Sequence, residues 1–318
     1  MSGSALRERA ALLDELHQIV LAMKNLAFAE LQRVGRQVEA LRPAAAEVLQ
    51  ALAEVEVLQA DAAAARQGGS GESAGQSGRA SEALLAPPRA MAPVGWWVIG
   101  AARGFCGAYN SRLAQAVRAL RAADPSVRLW LASQRLQALL DDLPAGASQL
   151  LAGCAAIEDV ETTLDAWLAE LAPATASCRE LWLLHVDEAG LVCSQLWPRL
   201  GATQAWSAAA PLATRSAAAY LASASAGGPL RRPQHFLPLP QLQAALLRQA
   251  LLLRLRAGLM AALEQENHWR LAQMQRAQDH LDELGRHLRQ RYATLRQAEI
   301  TDELETLMSS MDSAPPGG

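Results

Sequence analysis

Apolar residues recur every seven positions near both ends of this chain. The first series runs Leu6, Leu13, Val20, Ala27, Val34, Leu41, Val48, Val55, and Leu16, Met23, Leu31, Val38 and Leu52 partly fill positions three or four later. Kept up for about 50 residues, such a repeat holds one stripe of a helix apolar for roughly 75 Å at about 1.5 Å per residue. Pro43 falls inside it and removes one backbone donor, so a kink is expected there. The second series runs Leu246, Leu253, Met260, Asn267, Met274, Leu281, Leu288, Leu295. Its one polar member is Asn, the residue with which coiled coils fix register. Helices this long are seldom needed by a single globular domain. The two arms therefore read as partners in one antiparallel coiled coil, with the middle of the chain inserted between them. The alternative is two independent amphipathic helices packed on the middle domain, but such helices usually run about 10–20 residues.

Between the arms the period changes. RQGGSGESAGQSGRASE (residues 66–82) is rich in Gly and Ser, has no periodicity and reads as a mobile loop. VGWWVIG (94–100), VRLWLA (127–132), ELWLLHV (180–186) and LVCSQLW (191–197) are short apolar runs that read as buried strands. The last two, joined by a DEAG turn, form a candidate hairpin. Helical patterns near residues 111–122, 134–141 and 160–171 alternate with them, which predicts an α/β domain with a small, partly parallel sheet. The fold class expected is α/β: a long antiparallel coiled coil of the terminal helices with an inserted Rossmann-like domain. Its divisions are 1–65 for the first helix, 66–86 for the loop, 87–240 for the α/β domain, 241–311 for the second helix and 312–318 for a disordered tail.

Composition bounds the chemistry. The 318 residues carry a formal net charge of −3, which gives no reason to expect a nucleic-acid partner. Cys106, Cys154, Cys178 and Cys193 are scattered without metal-ligand spacing and read as reduced, buried thiols. The N-terminal stretch is amphipathic and carries acids, unlike a signal or transit peptide, and no run approaches the roughly 20 apolar residues that span a bilayer. GAARGFCGAYN (100–110) sits between a strand and a helix, where a phosphate loop would be. Its glycines at 100, 104 and 107 match neither GxGxxG nor GK[ST], so a structural turn is the better reading. Cys106 as a nucleophile lacks a His or acid nearby in sequence. His185 reads as a buried, hydrogen-bonded core residue, Asp141-Asp142 as a helix end and turn, and the tryptophans as core packing. No constellation that would carry a reaction emerges, and no cofactor or metal is expected.

Four stretches resemble motifs of the gamma subunit of F-type ATP synthases, in the family's order. IVLAMKNLA (19–27) is similar to ITKAM(K/E)MVA, and Arg103-Gly104-Phe105-Cys106-Gly107 with Asn110 is similar to DRGLCGGLN. ENHWRLAQM (266–274) resembles SEQAARMVAM, and RQAEITDEL (296–304) resembles RQASITQEL almost throughout. The resemblance implies a non-catalytic subunit whose coiled coil enters a ring of three alpha and three beta subunits. The α/β domain would contact the epsilon subunit and the membrane c-ring, at the cytoplasmic face of a bacterial inner membrane. It implies that Arg296 and Gln297 engage beta, with Thr301 and Glu303 nearby and Met23 and Lys24 facing the same region. Gly104, Cys106, Gly107 and Asn110 would form a structural turn, and His235, Phe236 and Leu237 a c-ring contact. No direct binding of ATP is expected.

From Arg248 to Ala298 nine Arg stand against five acids, a balance of +4 that suits acidic loops on a surrounding ring. The departures are Leu21 and Glu30 where the family usually has Lys, Ala101-Ala102 in place of Ser-Asp, and a c-ring stretch without carboxylates. They suggest a divergent branch, an additional ATPase with its own ring and ion preference. Two other readings stay open on the residues alone: a coiled-coil adaptor with an α/β docking head, and a nucleotide- or thiol-dependent enzyme built around Gly104, Cys106 and Gly107.

Overall fold

The computed structural model describes residues 3–67, 92–144, 146–197, 204–205 and 235–312. Along the chain come α1 (Gly3–Gln67), β1 (Val94–Val98), α2 (Tyr109–Ala123), β2 (Arg128–Leu131), α3 (Gln134–Ala138) and β3 (Ser148–Leu150). A 3₁₀ turn (Ile157–Asp159) then leads into α4 (Val160–Ser177), β4 (Glu180–Asp187), β5 (Gly190–Trp197), β6 (Gln204–Ala205) and α5 (Leu239–Asp312). The Gly/Ser-rich stretch from residue 68 on and the residues from 313 on lie outside the described residues, while Arg66 and Gln67, expected in the loop, end α1. Two compact units emerge. One takes α1 up to Phe28 together with α5 from Arg270; the other runs from Ala29 to Trp269.

The long helices are continuous in secondary structure, and α1 stays helical on both sides of Pro43. In the first unit their direction follows from two side-chain contacts. Lys24 Nζ donates to Gln275 Oε1 at 2.6 Å, and His17 Nδ1 lies 3.6 Å from Asp282 Oδ1. Seven residues back along α1, from 24 to 17, correspond to seven forward along α5, from 275 to 282, so the helices are antiparallel. Of the heptad positions, Ala27, Val34, Val55, Leu253, Met260, Asn267 and Met274 are buried, Leu13, Val20, Leu41, Val48, Leu246, Leu281 and Leu288 are half-buried, and Leu295 is exposed. Asn267 satisfies its amide within its own helix, donating from Nδ2 to the Leu263 carbonyl at 2.9 Å.

The second unit is built on a six-stranded sheet in the order β3-β2-β1-β4-β5-β6. β1 pairs in parallel with β2 and β4, and β2 with β3, whereas β4–β5 and β5–β6 are antiparallel. The hairpin expected from the DEAG turn is the β4–β5 pair. Both faces are covered, which is why β1 reads as an unbroken apolar run. Val94, Trp96 and Val98 pack with Leu113, Val117 and Leu120 of α2 and Leu136 of α3. Trp97 and Ile99 turn the other way, to Trp167 of α4 and to Leu251, Leu255 and Leu259 of α5. Strand register places the tryptophans: Trp96 stacks on Trp182 across β1–β4 with ring centroids 5.6 Å apart, and Trp97 on Trp130 across β1–β2 at 6.2 Å.

Helix α5 crosses the sheet very closely at Gly258. A Cβ there would stand 2.6 Å from Leu183 Cδ2, so a larger residue fits only if the end of the Leu183 side chain shifts. Two exposed ion pairs add to the packing: Arg256 of α5 meets Glu161 of α4 at 2.6 Å, and Arg33 of α1 meets Glu158 at 2.7 Å. Such surface pairs contribute about 0–1 kcal/mol each, so apolar burial on the two faces dominates.

Several expected boundaries move. The helix read over 134–141 stops at Ala138, because Leu139 and Leu140 tighten into bonds onto Leu136 and Gln137. Arg118 then takes the Leu139 carbonyl and both oxygens of Asp142, making 139–142 a turn. α4 continues past 171 through Pro173 to Ser177, where the hydroxyls of Thr175 and Ser177 bond the carbonyls of Ala172 and Ala174. The short strands β3 and β6 carry too few residues to show a period, and sequence reading misses them. His185 is buried as expected, but its Nδ1 has no hydrogen-bond partner among the described residues. Burial, with the Arg254 charge second, pulls its pKa down to about 4, so the ring is neutral near pH 7.

Candidate functional site

The RGFCG turn leaves the carboxyl end of β1, between β1 and β4. Here the chain order across the sheet reverses, and doubly wound folds bind ligands in the crevice at such a point. Backbone geometry marks the turn as over-determined. Phe105, which is exposed, has φ +64°, and Gly107 has φ +55°; a side chain rarely takes this left-handed region unless surrounding contacts enforce it. The enforcing contacts are polar. Asn110 Oδ1 accepts from the Ala101 amide at 2.8 Å, while Asn110 Nδ2 donates to the Ala101 carbonyl at 3.0 Å. Ser133 Oγ donates to that same carbonyl at 2.7 Å. Cys106, buried, points its thiol at the carbonyls of Arg103 and Gly104 at 3.4 and 3.3 Å.

The amides of Ala102 and Arg103 both donate to the carboxylate of Glu266, each at 3.2 Å. Glu266 lies on α5, more than 160 residues away in sequence, and is only 2% exposed. A side-chain carboxylate of the chain itself thus takes two backbone amides of this turn. Three residues further along α5, Trp269 meets Tyr109 edge-on at 6.3 Å, and Arg112 lies over its ring at 4.9 Å. Tyr109 is fully buried, and burial, helped by the Glu266 charge, pushes its phenol well above the usual range. From the other side of the turn, Arg103 Nη1 reaches Glu30 of α1 at 4.0 Å. Glu30 is itself buried, so the acid found where the family usually has Lys faces a cation here.

Of the remaining candidates, Lys24 is partly buried and donates to Gln275 at 2.6 Å and Gln278 at 3.1 Å. Met23 is partly buried on the same helix. Arg296, Gln297, Thr301 and Glu303 are all exposed on the last stretch of α5. Thr301 Oγ1 bonds back to the Gln297 carbonyl at 2.9 Å. His235, Phe236 and Leu237 sit together just before α5, with Phe236 fully exposed and His235 Nδ1 2.9 Å from the Leu237 carbonyl. They are not brought near the RGFCG turn by any contact among the described residues.

Glu266 and Trp269 as grips on the turn, and Gln275 and Gln278 as partners of Lys24, are what sequence reading misses. The spacing carries one signal: 266 and 269, like 275 and 278, are three apart and share a helix face. What they face is non-local, and no period reveals it. No helix among the described residues is long and apolar enough to cross a membrane.

The chain matches the ATP synthase family model over residues 2–313. No curated protein matches it in sequence. Among solved structures it resembles the central stalk/c-ring assembly of the Tetrahymena thermophila mitochondrial ATP synthase, at 15% identity and a TM-score of 0.53. That likeness covers 81% of this chain and 99% of the other. It also resembles the rotor of the Euglena gracilis mitochondrial ATP synthase, at 14% identity and a TM-score of 0.55, covering 94% and 98%. A second Euglena gracilis structure, of OSCP, F1 and c-ring, gives 12% identity and a TM-score of 0.51, covering 98% and 94%. At such identities the likenesses speak to the fold alone. The family match, spanning nearly the whole chain, carries the conclusion that this chain belongs to the gamma-subunit family of F-type ATP synthases, the central rotor stalk.

Proposed function

We propose that this rotor stalk turns inside a ring of three alpha and three beta subunits, coupling ATP synthesis or hydrolysis there to ion flow through a membrane c-ring. The observation that carries the proposal is the run of α5 beyond Arg296. It is a helix with an exposed apolar and charged surface, bearing the RQAEITDEL stretch. Arg296 and Gln297 grip beta, with Thr301 and Glu303 beside them, and Met23 and Lys24 support the same region from α1. In this reading α1 and α5 are the shaft and the sheet with its short helices is the head; most of the expected loop at 66–86 and of the expected tail at 312–318 lies outside the described residues, and Arg66, Gln67 and Asp312 belong to the long helices. The head meets epsilon and the c-ring, with His235, Phe236 and Leu237 at the c-ring. The chain itself binds no ATP and catalyses nothing. The RGFCG turn supports that: backbone amides of the turn are already taken by Asn110 and Glu266, and Cys106 is buried against carbonyls. The complex sits at the cytoplasmic face of a bacterial inner membrane.

Co-expression with alpha and beta subunits, followed by imaging of the purified complex, tests the reading. A shaft inside a six-membered ring is expected, and stoichiometric purification without alpha or beta would overturn it. Transport driven by ATP in the reconstituted complex, with and without Na⁺, then identifies the ion.

A further inference from the structure

Two of the stretches that sequence reading separates, the RGFCG turn and the ENHWRLAQM stretch of α5, are joined in the second unit by polar contacts as well as by the packing of Trp269. A buried carboxylate that has lost water is costly unless hydrogen-bonded, and Glu266 obtains two donors from backbone amides that no side-chain substitution in the turn can remove. Trp269, on the same face, is held by Tyr109 and Arg112 at the start of α2. Arg103, from inside the turn, reaches across to Glu30 on α1. One ten-residue segment at the switch point of the sheet is therefore attached to both long helices, to α5 by directional hydrogen bonds and to α1 by an ion pair. Apolar faces such as those around Gly258 resist separation but oppose sliding less, because dispersion and hydrophobic contacts have little directionality. Hydrogen bonds to fixed backbone amides resist shear and rotation.

We propose that Glu266, with Trp269 and Glu30, is a positioning clasp that fixes the rotational setting of the α/β sheet against the helix stretches of its own unit, so that head and shaft turn together. The proposal rests on the rotor-stalk reading for its consequence, but its geometry stands in the chain alone, and the experiment separates the two.

Amide hydrogen exchange on the full chain is the first arm. Glu266→Ala is expected to speed exchange at Ala102 and Arg103 by about tenfold or more, while Leu113 and Val117 in the middle of α2 keep their protection. Glu266→Gln, which retains one acceptor oxygen without the charge, falls between. The second arm is the assembled complex, in which Glu266→Ala and Trp269→Ala are expected to lower the number of ions moved per ATP while ATP hydrolysis persists. Glu266→Gln is expected to recover part of that ratio. Should Glu266→Ala fail to fold, Glu266→Gln and Trp269→Ala carry both arms. Unchanged exchange at Ala102 and Arg103 overturns the clasp, as does accelerated exchange with an unaltered ion-to-ATP ratio. An unsubstituted chain that forms no transporting complex overturns the rotor reading instead, and the exchange arm alone then decides the clasp.

Discussion

Between Leu251 and Met274 of α5 the apolar residues Leu251, Leu255, Leu259, Met260, Leu263 and Met274 are at most 4% exposed, whereas Leu284, Leu295, Ile300, Leu304 and Met308 of the same helix stand 37–68% exposed. The amino acids are of one kind and the helix is unbroken, so helix propensity and apolarity do not distinguish the two stretches. What differs is the covering. The earlier stretch has the sheet, α4 and the buried part of α1 against it. The later stretch belongs to neither apolar core of the described residues. An apolar helix surface left open inside one chain is an interaction surface in waiting, and the comparison assigns stability to the first stretch and recognition to the second.

The largest effect expected falls on the covered stretch. Leu255→Ala removes a fully buried side chain from beneath the sheet and should destabilise the purified chain by about 2–5 kcal/mol, read as a fall in the urea midpoint. Leu304→Ala, more than half exposed, should shift that midpoint by less than about 0.5 kcal/mol. Equal losses at both positions would break the distinction.

A second test uses pH, again on the sheet side of α5. His185 has its pKa lowered to about 4, by burial first and by the Arg254 charge second. The unfolded chain binds a proton near pH 6.5, and the folded chain refuses it until about pH 4. Stability from this group is therefore unaffected above roughly pH 6.5, falls as pH drops through that window at up to about 1.4 kcal/mol per pH unit, and levels off below it. The total is about 3 kcal/mol. His185→Leu should remove that slope between pH 6.5 and 4.5, and an unchanged slope would place the sensitivity elsewhere. Of similar or smaller size, Gly258→Val should cost about 1–3 kcal/mol, since the added carbons meet Leu183.

How much of this was legible beforehand depends on the range of the interactions. The long arms could be read because a seven-residue period is local and repeats: Ala27, Val34, Met260 and Asn267 carry it, and all four are buried. The β1, β4 and β5 runs could be read from apolar blocks and the DEAG turn. The stop of α3 at Ala138 could not, because Arg118 sets it from another helix. Nor could the hold on the RGFCG turn, since nothing in residues 100–110 announces that their amides point at residue 266. At Leu295 the period is kept although the side chain is more than a third exposed. A periodic sequence predicts a stripe, and only a partner determines whether the stripe is buried.

The sharpest test of the comparison is therefore one in which stability and assembly disagree. Arg296 and Gln297 are exposed on the last stretch of α5. Replacing both, Arg296→Ala with Gln297→Ala, should leave the urea midpoint of the isolated chain within about 0.5 kcal/mol, because surface positions away from caps and cores rarely matter more. In complex with beta the same change should weaken assembly by about 1–3 kcal/mol, the usual loss when a charged hydrogen bond at an interface is removed. Arg296→Lys is informative beside it. Lysine keeps the charge but lacks the planar fork that pairs with a carboxylate through two parallel bonds, so partial recovery is expected if beta offers an acid in that geometry. Full recovery would mean that charge alone suffices. Loss of chain stability in either variant would show that this end of α5 is held from within after all, and the contrast between the two stretches would fall.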